Sequence, residues 1–129
     1  EGCTEEDLAA AMANYRQILE EILSIVSTKD TLVRTQTYDH FNFAHWQKIG
    51  VLEERKEMMD RWNAELIEIA AEYGIPVARV DLDFNGPNGD QDPRDKGYLA
   101  RDGLHPSDQG SLRIAELLRG LGYEPLTEE

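Results

Sequence analysis

Apolar side chains recur at three- and four-residue steps along two long stretches of this chain, the spacing of a helix with one buried face. The first stripe runs to about Ser27 and consists of Leu8, Met12, Tyr15, Leu19, Ile22 and Val26. Thr4, followed three residues later by Asp7, predicts a capped start for this helix. The second stripe lies within residues 51–73 and consists of Leu52, the aliphatic part of Arg55, Met58 or Met59, Trp62, Leu66, Ile69 and Tyr73. Gly74 follows it, where helices commonly end.

Two short segments predict strands because they are rich in apolar and β-branched residues. The first covers residues 31–38 and the second residues 75–82, with Pro76 near its start, where a missing N–H does least harm. Residues 39–50 show no clean period and predict a loop. Residues 83–101 are dense in Gly, Pro, Asn and Asp and predict a second, long loop.

A third helix follows this long loop. Ser107 predicts its N-cap, and the helix is expected to run to about Arg119 and to end at Gly120. The order helix, strand, helix, strand, helix predicts an α/β doubly wound fold with parallel strands. Two strands do not complete such a sheet, so its neighbouring strands are expected to lie outside this chain.

Composition narrows the possible partners. The chain has 26 acidic and 13 basic residues among 129, a formal net charge of −13. Such a surface repels phosphate backbones, so a nucleic-acid partner is not expected. The sequence contains no run of about 18 apolar residues, so no membrane span is predicted. Cys3 is the single cysteine, which excludes an internal disulfide and a thiolate metal cluster but leaves the compartment open.

The segment at residues 102–106, Asp-Gly-Leu-His-Pro, carries the clearest chemistry. Asp102 and His105 lie three residues apart on a tight loop with Gly103 between them. A carboxylate beside an imidazole fixes one ring nitrogen as N–H and leaves the other free to accept a proton. The pair therefore predicts a general base and the residue that orients it, although a locally capped loop histidine would give the same pattern.

The same residues resemble a known family. Residues 102–106, followed by Gly110 and an apolar helix, are similar to the last block of the SGNH (GDSL) hydrolases. The segment ending at residues 81–83 with the long loop after it, and the opening helix around residues 14–19, also resemble that family. The resemblance covers essentially the whole chain, which corresponds to about the C-terminal half of the family's domain.

This resemblance implies a flavodoxin-like three-layer α/β/α sandwich and a Ser-His-Asp ester hydrolase. By it, His105 is the general base and Asp102 orients the imidazole. The family's nucleophilic Ser, in a Gly-Asp-Ser motif, and its oxyanion-hole Gly and Asn have no match here; the Gly89–Asp90 pair is followed by Gln91. Residues 1–129 are therefore expected to be the C-terminal portion of a single domain whose N-terminal strands are missing, and to be nearly inactive alone.

An aromatic segment offers candidate substrate contacts. Phe41, Phe43 and Trp46 follow a predicted strand, at the edge where α/β sheets bind ligands. They either line an acyl or alcohol pocket or cover the sheet edge. The nearby His40 and His45 match no standard metal-ligand spacing, so no metal site and no cofactor are predicted.

The leading hypothesis is thus an ester hydrolase acting through an acyl-enzyme, to which this chain contributes the base but not the nucleophile. The alternative is a non-catalytic α/β binding or scaffolding module that shares the fold. A weaker option is a complete receiver-like domain, which needs about five parallel strands. Lipid, acetylated sugar and short acyl esters all remain open as substrates.

Overall fold

The computed structural model describes residues 3–27 and 29–124, and helices dominate them. The helices are α1 (Glu5–Ile25), α2 (Phe43–Lys48), α3 (Leu52–Glu72), α4 (Val80–Asn85) and α5 (Asp108–Arg119), and the strands are β1 (Thr35–Gln36) and β2 (Val77–Ala78). β1 and β2 pair in parallel, with Thr35 opposite Val77 and Gln36 opposite Ala78. None of these helices combines the length and the apolar character that crossing a membrane requires.

The core lies mainly between α1 and α3, and both predicted long helices are confirmed. Thr4 and Asp7 form a reciprocal capping box at the start of α1. At the end of α3, Gly74 adopts a φ of 67°, and the N–H of Ile75 donates to the carbonyl of Ala70 over 2.9 Å. The buried apolar cluster consists of Leu8, Met12, Leu19, Leu66, Ile69, Ala70 and Ile75.

The predicted fold class is wrong. A three-layer flavodoxin-like α/β/α sandwich is built on a multistranded parallel sheet, whereas the described residues form a mostly helical fold with one sheet of two two-residue strands. The sequence pattern marks residues 31–38 and 75–82 as extended and apolar, but only two residues of each pair with the other segment. Strand propensity describes a segment that fits a pleated surface, and it forms a sheet only where a partner backbone is present.

The second half of the predicted strand at residues 75–82 is helical instead. Asp81 lies in the first turn of α4, where a negative side chain is favourable. Its N–H donates to Thr37 Oγ1 (3.1 Å), and its carboxylate accepts bonds from Thr37 Oγ1 (2.6 Å) and Arg79 Nε (2.9 Å). The contacts with Thr37 fix the start of α4 against the end of β1, and they join residues 44 positions apart. Local pattern carries no information on them.

The predicted loop at residues 39–50 contains a short helix, α2. Asn42 precedes it in the left-handed region, with φ 51° and ψ 25°, and its side chain makes no capping bond. Phe43 is buried, so this turn of helix packs inward at its first residue. Six residues are too few to show the periodicity from which helices are predicted, which explains the error.

Candidate active site

A tight hairpin presents the Asp102–His105 segment. Its two legs meet in an antiparallel bridge between Leu99 and Pro106. The N–H of Ala100 donates to the carbonyl of His105 over 2.8 Å. Immediately afterwards Ser107 caps α5 by accepting a bond from the N–H of Gly110 (3.0 Å), as predicted. The hairpin is therefore held at its base and tied directly to the start of a helix.

Within the hairpin, Asp102 uses both oxygens of its carboxylate. Oδ1 accepts bonds from the backbone N–H groups of Leu104 (2.9 Å) and His105 (3.0 Å). Oδ2 lies 2.6 Å from His105 Nδ1. The structure thus brings together the two residues that the sequence singled out, in the geometry of an imidazole held by a carboxylate.

The electrostatics of the pair define its protonation. The His105 side chain, followed by the backbone N–H groups of Leu104 and His105, holds the pKa of Asp102 at about 2. Asp102 is therefore ionised at neutral pH and can only accept, so the proton in the 2.6 Å contact belongs to His105 Nδ1. In the neutral form of the ring, Nε2 then carries the lone pair, and the side chain is 78% exposed. The imidazole can take a proton from a group outside the hairpin.

The aromatic segment lies against this hairpin. The N–H of Asn42 donates to the carbonyl of Gly103 over 3.0 Å. On either side of Asn42, the rings of Phe41 and Trp46 contact each other with centroids 5.4 Å apart. Both rings are half-buried, whereas Phe43 is only 8% exposed and is one of the buried apolar residues of the core. Asn42 was not singled out from the sequence, although Asn is the residue type, after Gly, that most often takes a positive φ.

The two histidines of the aromatic segment have different surroundings. The His40 ring is 2% exposed, and its Nε2 lies 2.9 Å from Asp60 Oδ1. His45 is exposed on α2. Across residues 3–27 and 29–124 no three His, Cys, Asp or Glu side chains group in a way that could hold a metal ion.

Serine hydroxyls near the hairpin and in α1 are engaged elsewhere. Ser107 Oγ donates to the carbonyl of Gly97 (2.6 Å), besides capping α5. Ser24 Oγ donates to the carbonyl of Glu21 (2.7 Å) within α1. In the described part of the chain, no hydrogen bond joins a hydroxyl or thiol side chain to His105. Among the described residues, the site therefore joins an imidazole to an ionised carboxylate, with no hydroxyl or thiol nucleophile bonded to the imidazole.

Comparison with known proteins gives one informative similarity. Over 114 residues the chain is 30% identical to the spore germination lipase LipC of Bacillus licheniformis. The chain is thus similar to a lipase. The alignment covers 85% of this chain and 46% of LipC, so the chain spans about half the length of this relative.

The other comparisons add no relative. No protein-family model matches the chain, and no solved structure matches it. The similarity to LipC indicates a lipase- or esterase-like relationship. Membership of the SGNH family stays a prediction.

Proposed function

We propose that this chain supplies the general-base half of a serine-type ester hydrolase of the SGNH kind. His105 is the base, and Asp102 holds its ring. The observation that carries the proposal is the 2.6 Å contact from His105 Nδ1 to Asp102 Oδ2, on a histidine side chain that is 78% exposed. The similarity to a lipase supports ester hydrolysis as the reaction class.

The chemistry follows from this geometry. His105 Nε2 takes the proton of a serine hydroxyl while the serine oxygen bonds to the ester carbonyl carbon. The imidazolium formed is stabilised by ionised Asp102, and it returns the proton to the departing alkoxide as the ester C–O bond breaks. Water then gives a proton to the same imidazole and bonds to the acyl carbon; the bond from that carbon to the serine oxygen breaks, the imidazolium returns the proton to the serine, and the acid leaves. The orienting role needs Asp102 to stay ionised throughout, which its low pKa ensures.

We further propose that the serine and the oxyanion donors come from polypeptide other than residues 1–129, which would be the C-terminal portion of the domain. Two observations support this. The chain matches a relative over 46% of that relative's length, and no hydroxyl of the described residues is bonded to His105. An acyl ester is the proposed substrate, with Phe41 and Trp46 placed beside the hairpin to contact its acyl or alcohol group.

The test is turnover of p-nitrophenyl acetate by the longer protein that contains this chain. His105→Ala is expected to lower kcat by about a thousandfold or more, because the serine loses its base. His45→Ala, which removes an exposed histidine of the neighbouring helix, is the matched control and is expected to leave kcat unchanged. A loss of less than tenfold on His105→Ala would refute the assignment.

A second measurement separates this proposal from the alternative of a non-catalytic module. The 129-residue chain by itself is expected to show almost no turnover, since a base without nucleophile or oxyanion donors retains little of the rate enhancement. Turnover by this chain that His105→Ala abolishes would place a nucleophile within residues 1–129. A longer protein that is itself inert on esters would favour a binding or scaffolding module.

A further inference from the structure

Among the described residues, Asn42 is the non-glycine residue that has a positive φ, which is 51°. This conformation is disfavoured for residues that carry a Cβ. Its side chain makes no capping bond to α2. Such a conformation persists only where the surroundings hold it, and such residues cluster at functional sites.

This backbone conformation sets the direction in which the N–H of Asn42 points. The N–H of Asn42 donates to the carbonyl of Gly103 over 3.0 Å, across 61 positions of sequence. That carbonyl belongs to the same planar peptide unit as the N–H of Leu104. The N–H of Leu104 in turn donates to Asp102 Oδ1 (2.9 Å), while Asp102 Oδ2 binds His105 Nδ1 (2.6 Å).

One rigid peptide unit therefore has a partner at each end. Its carbonyl is fixed by Asn42, and its N–H holds the carboxylate that orients the imidazole. Hydrogen bonds in series polarise one another, so the bond from Asn42 also strengthens the donor at Leu104. Gly103, whose carbonyl accepts this bond, has a φ of 70° and is buried; because glycine can adopt many backbone conformations, the hairpin turn can relax if the bond is lost.

We propose that Asn42 is a positioning residue for His105, acting by its backbone conformation through the Gly103–Leu104 peptide and Asp102. This inference rests on the proposed function, since it assigns the origin of the alignment of the base. Because Phe41 and Trp46 flank Asn42, the same bond ties the aromatic pair to the hairpin. The base and its nearest aromatic surface are thereby held as one unit.

NMR spectroscopy on the 129-residue chain tests this without requiring turnover. In Asn42→Val the branched side chain disfavours a positive φ, so the bond to Gly103 should be lost. The pKa of Asp102, followed by its carboxyl carbon, should then rise from about 2 to roughly 3, and the fraction of His105 with its proton on Nδ1 should fall. Asn42→Gly keeps the backbone conformation and should resemble the wild type in both readouts.

Controls make the outcomes decisive. Asn14→Val applies the same chemical change at an exposed position of α1 and should alter neither readout. If Asn42→Val does not fold, Asn42→Ala replaces it in the same comparison, with the same expected direction. A valine or alanine variant identical to the wild type overturns the proposal. So does a glycine variant that shifts as far as valine, since the side chain would then be responsible.

The two proposals fail separately. If His105→Ala leaves ester hydrolysis intact in the longer protein, the proposed function fails, and the NMR comparison still reports whether Asn42 orders the pair. If the NMR readouts are the same in all variants while His105→Ala abolishes turnover, the function stands and the positioning role of Asn42 fails.

Discussion

Both oxygens of Asp102 are satisfied by residues no more than three positions away, and this locality explains why the pair could be found from sequence. An Asp that accepts from the backbone two and three residues ahead is a common local motif. The residues that support the pair from a distance are different. Asn42 contacts the hairpin only after folding, and the sequence pattern did not single it out.

Asp39 is a second residue that only the structure singles out. Its Oδ2 is buried without a hydrogen-bond partner among the described residues. Burial raises its pKa from 3.8 to about 6. A carboxyl whose pKa is higher in the folded state opposes folding once it ionises. The contribution of Asp39 to stability should therefore fall as the pH rises from about 4 to about 6, and no further above that.

Asp39→Asn tests this directly by urea unfolding at several pH values. The variant should equal the wild type near pH 3.5 and exceed its free energy of unfolding by up to about 3 kcal/mol at pH 7.5, since the buried charge is removed. Asp90→Asn, at an exposed loop position, is the matched control. A stability difference independent of pH would show that Asp39 is not the titrating group.

Among the helices and strands, a periodic apolar face or a nearby capping residue decided which elements could be predicted from the sequence. α1, α3 and α5 each have a periodic apolar face or a capping residue that acts within a few positions, and all three were predicted close to their observed bounds. α2 and α4 have six residues each, too few for a period, and α4 depends on the contact of Asp81 with Thr37, 44 positions away. Short elements are held by tertiary contacts, so local pattern does not define them.

Gly110 gives an element-level prediction. A Cβ at this position would overlap the carbonyl oxygen of Tyr98 and lie 2.9 Å from its carbon. Gly110→Ala should therefore push α5 away from the hairpin and cost about 2–3 kcal/mol of stability, although Ala favours helix formation. Thermal unfolding measures it, with Ser111→Ala, exposed on the next residue of α5, as the control. Equal melting temperatures for both variants would contradict this packing.

For the whole molecule, charge is the dominant feature. The net charge of −13 favours repulsion within the folded chain. Two exposed ion pairs, Arg61–Glu5 and Arg16–Glu72, join α1 to α3 and act in the opposite sense. Exposed pairs contribute little each, so the general repulsion should dominate.

Salt should therefore stabilise this protein. We expect the melting temperature to rise by about 2–5 °C between roughly 20 mM and 500 mM NaCl, because screening removes more repulsion than attraction. Calorimetry at fixed pH measures it, and Arg61→Gln reports the part due to one ion pair. A melting temperature that falls with salt would mean that the pairs between α1 and α3 outweigh the repulsion.

The sequence by itself determined the features whose causes lie within a few residues: the two long amphipathic helices, the caps at Thr4 and Ser107, and the bond from His105 to Asp102. The tertiary structure decided the extent of the sheet, the helical start at Asp81 and the contact of Asn42 with Gly103. The physical reason is how far apart along the sequence the interacting residues lie. Caps and helical periods are set by neighbours along the chain, whereas strand pairing, burial of Asp39 and support of the hairpin depend on residues that only folding brings close.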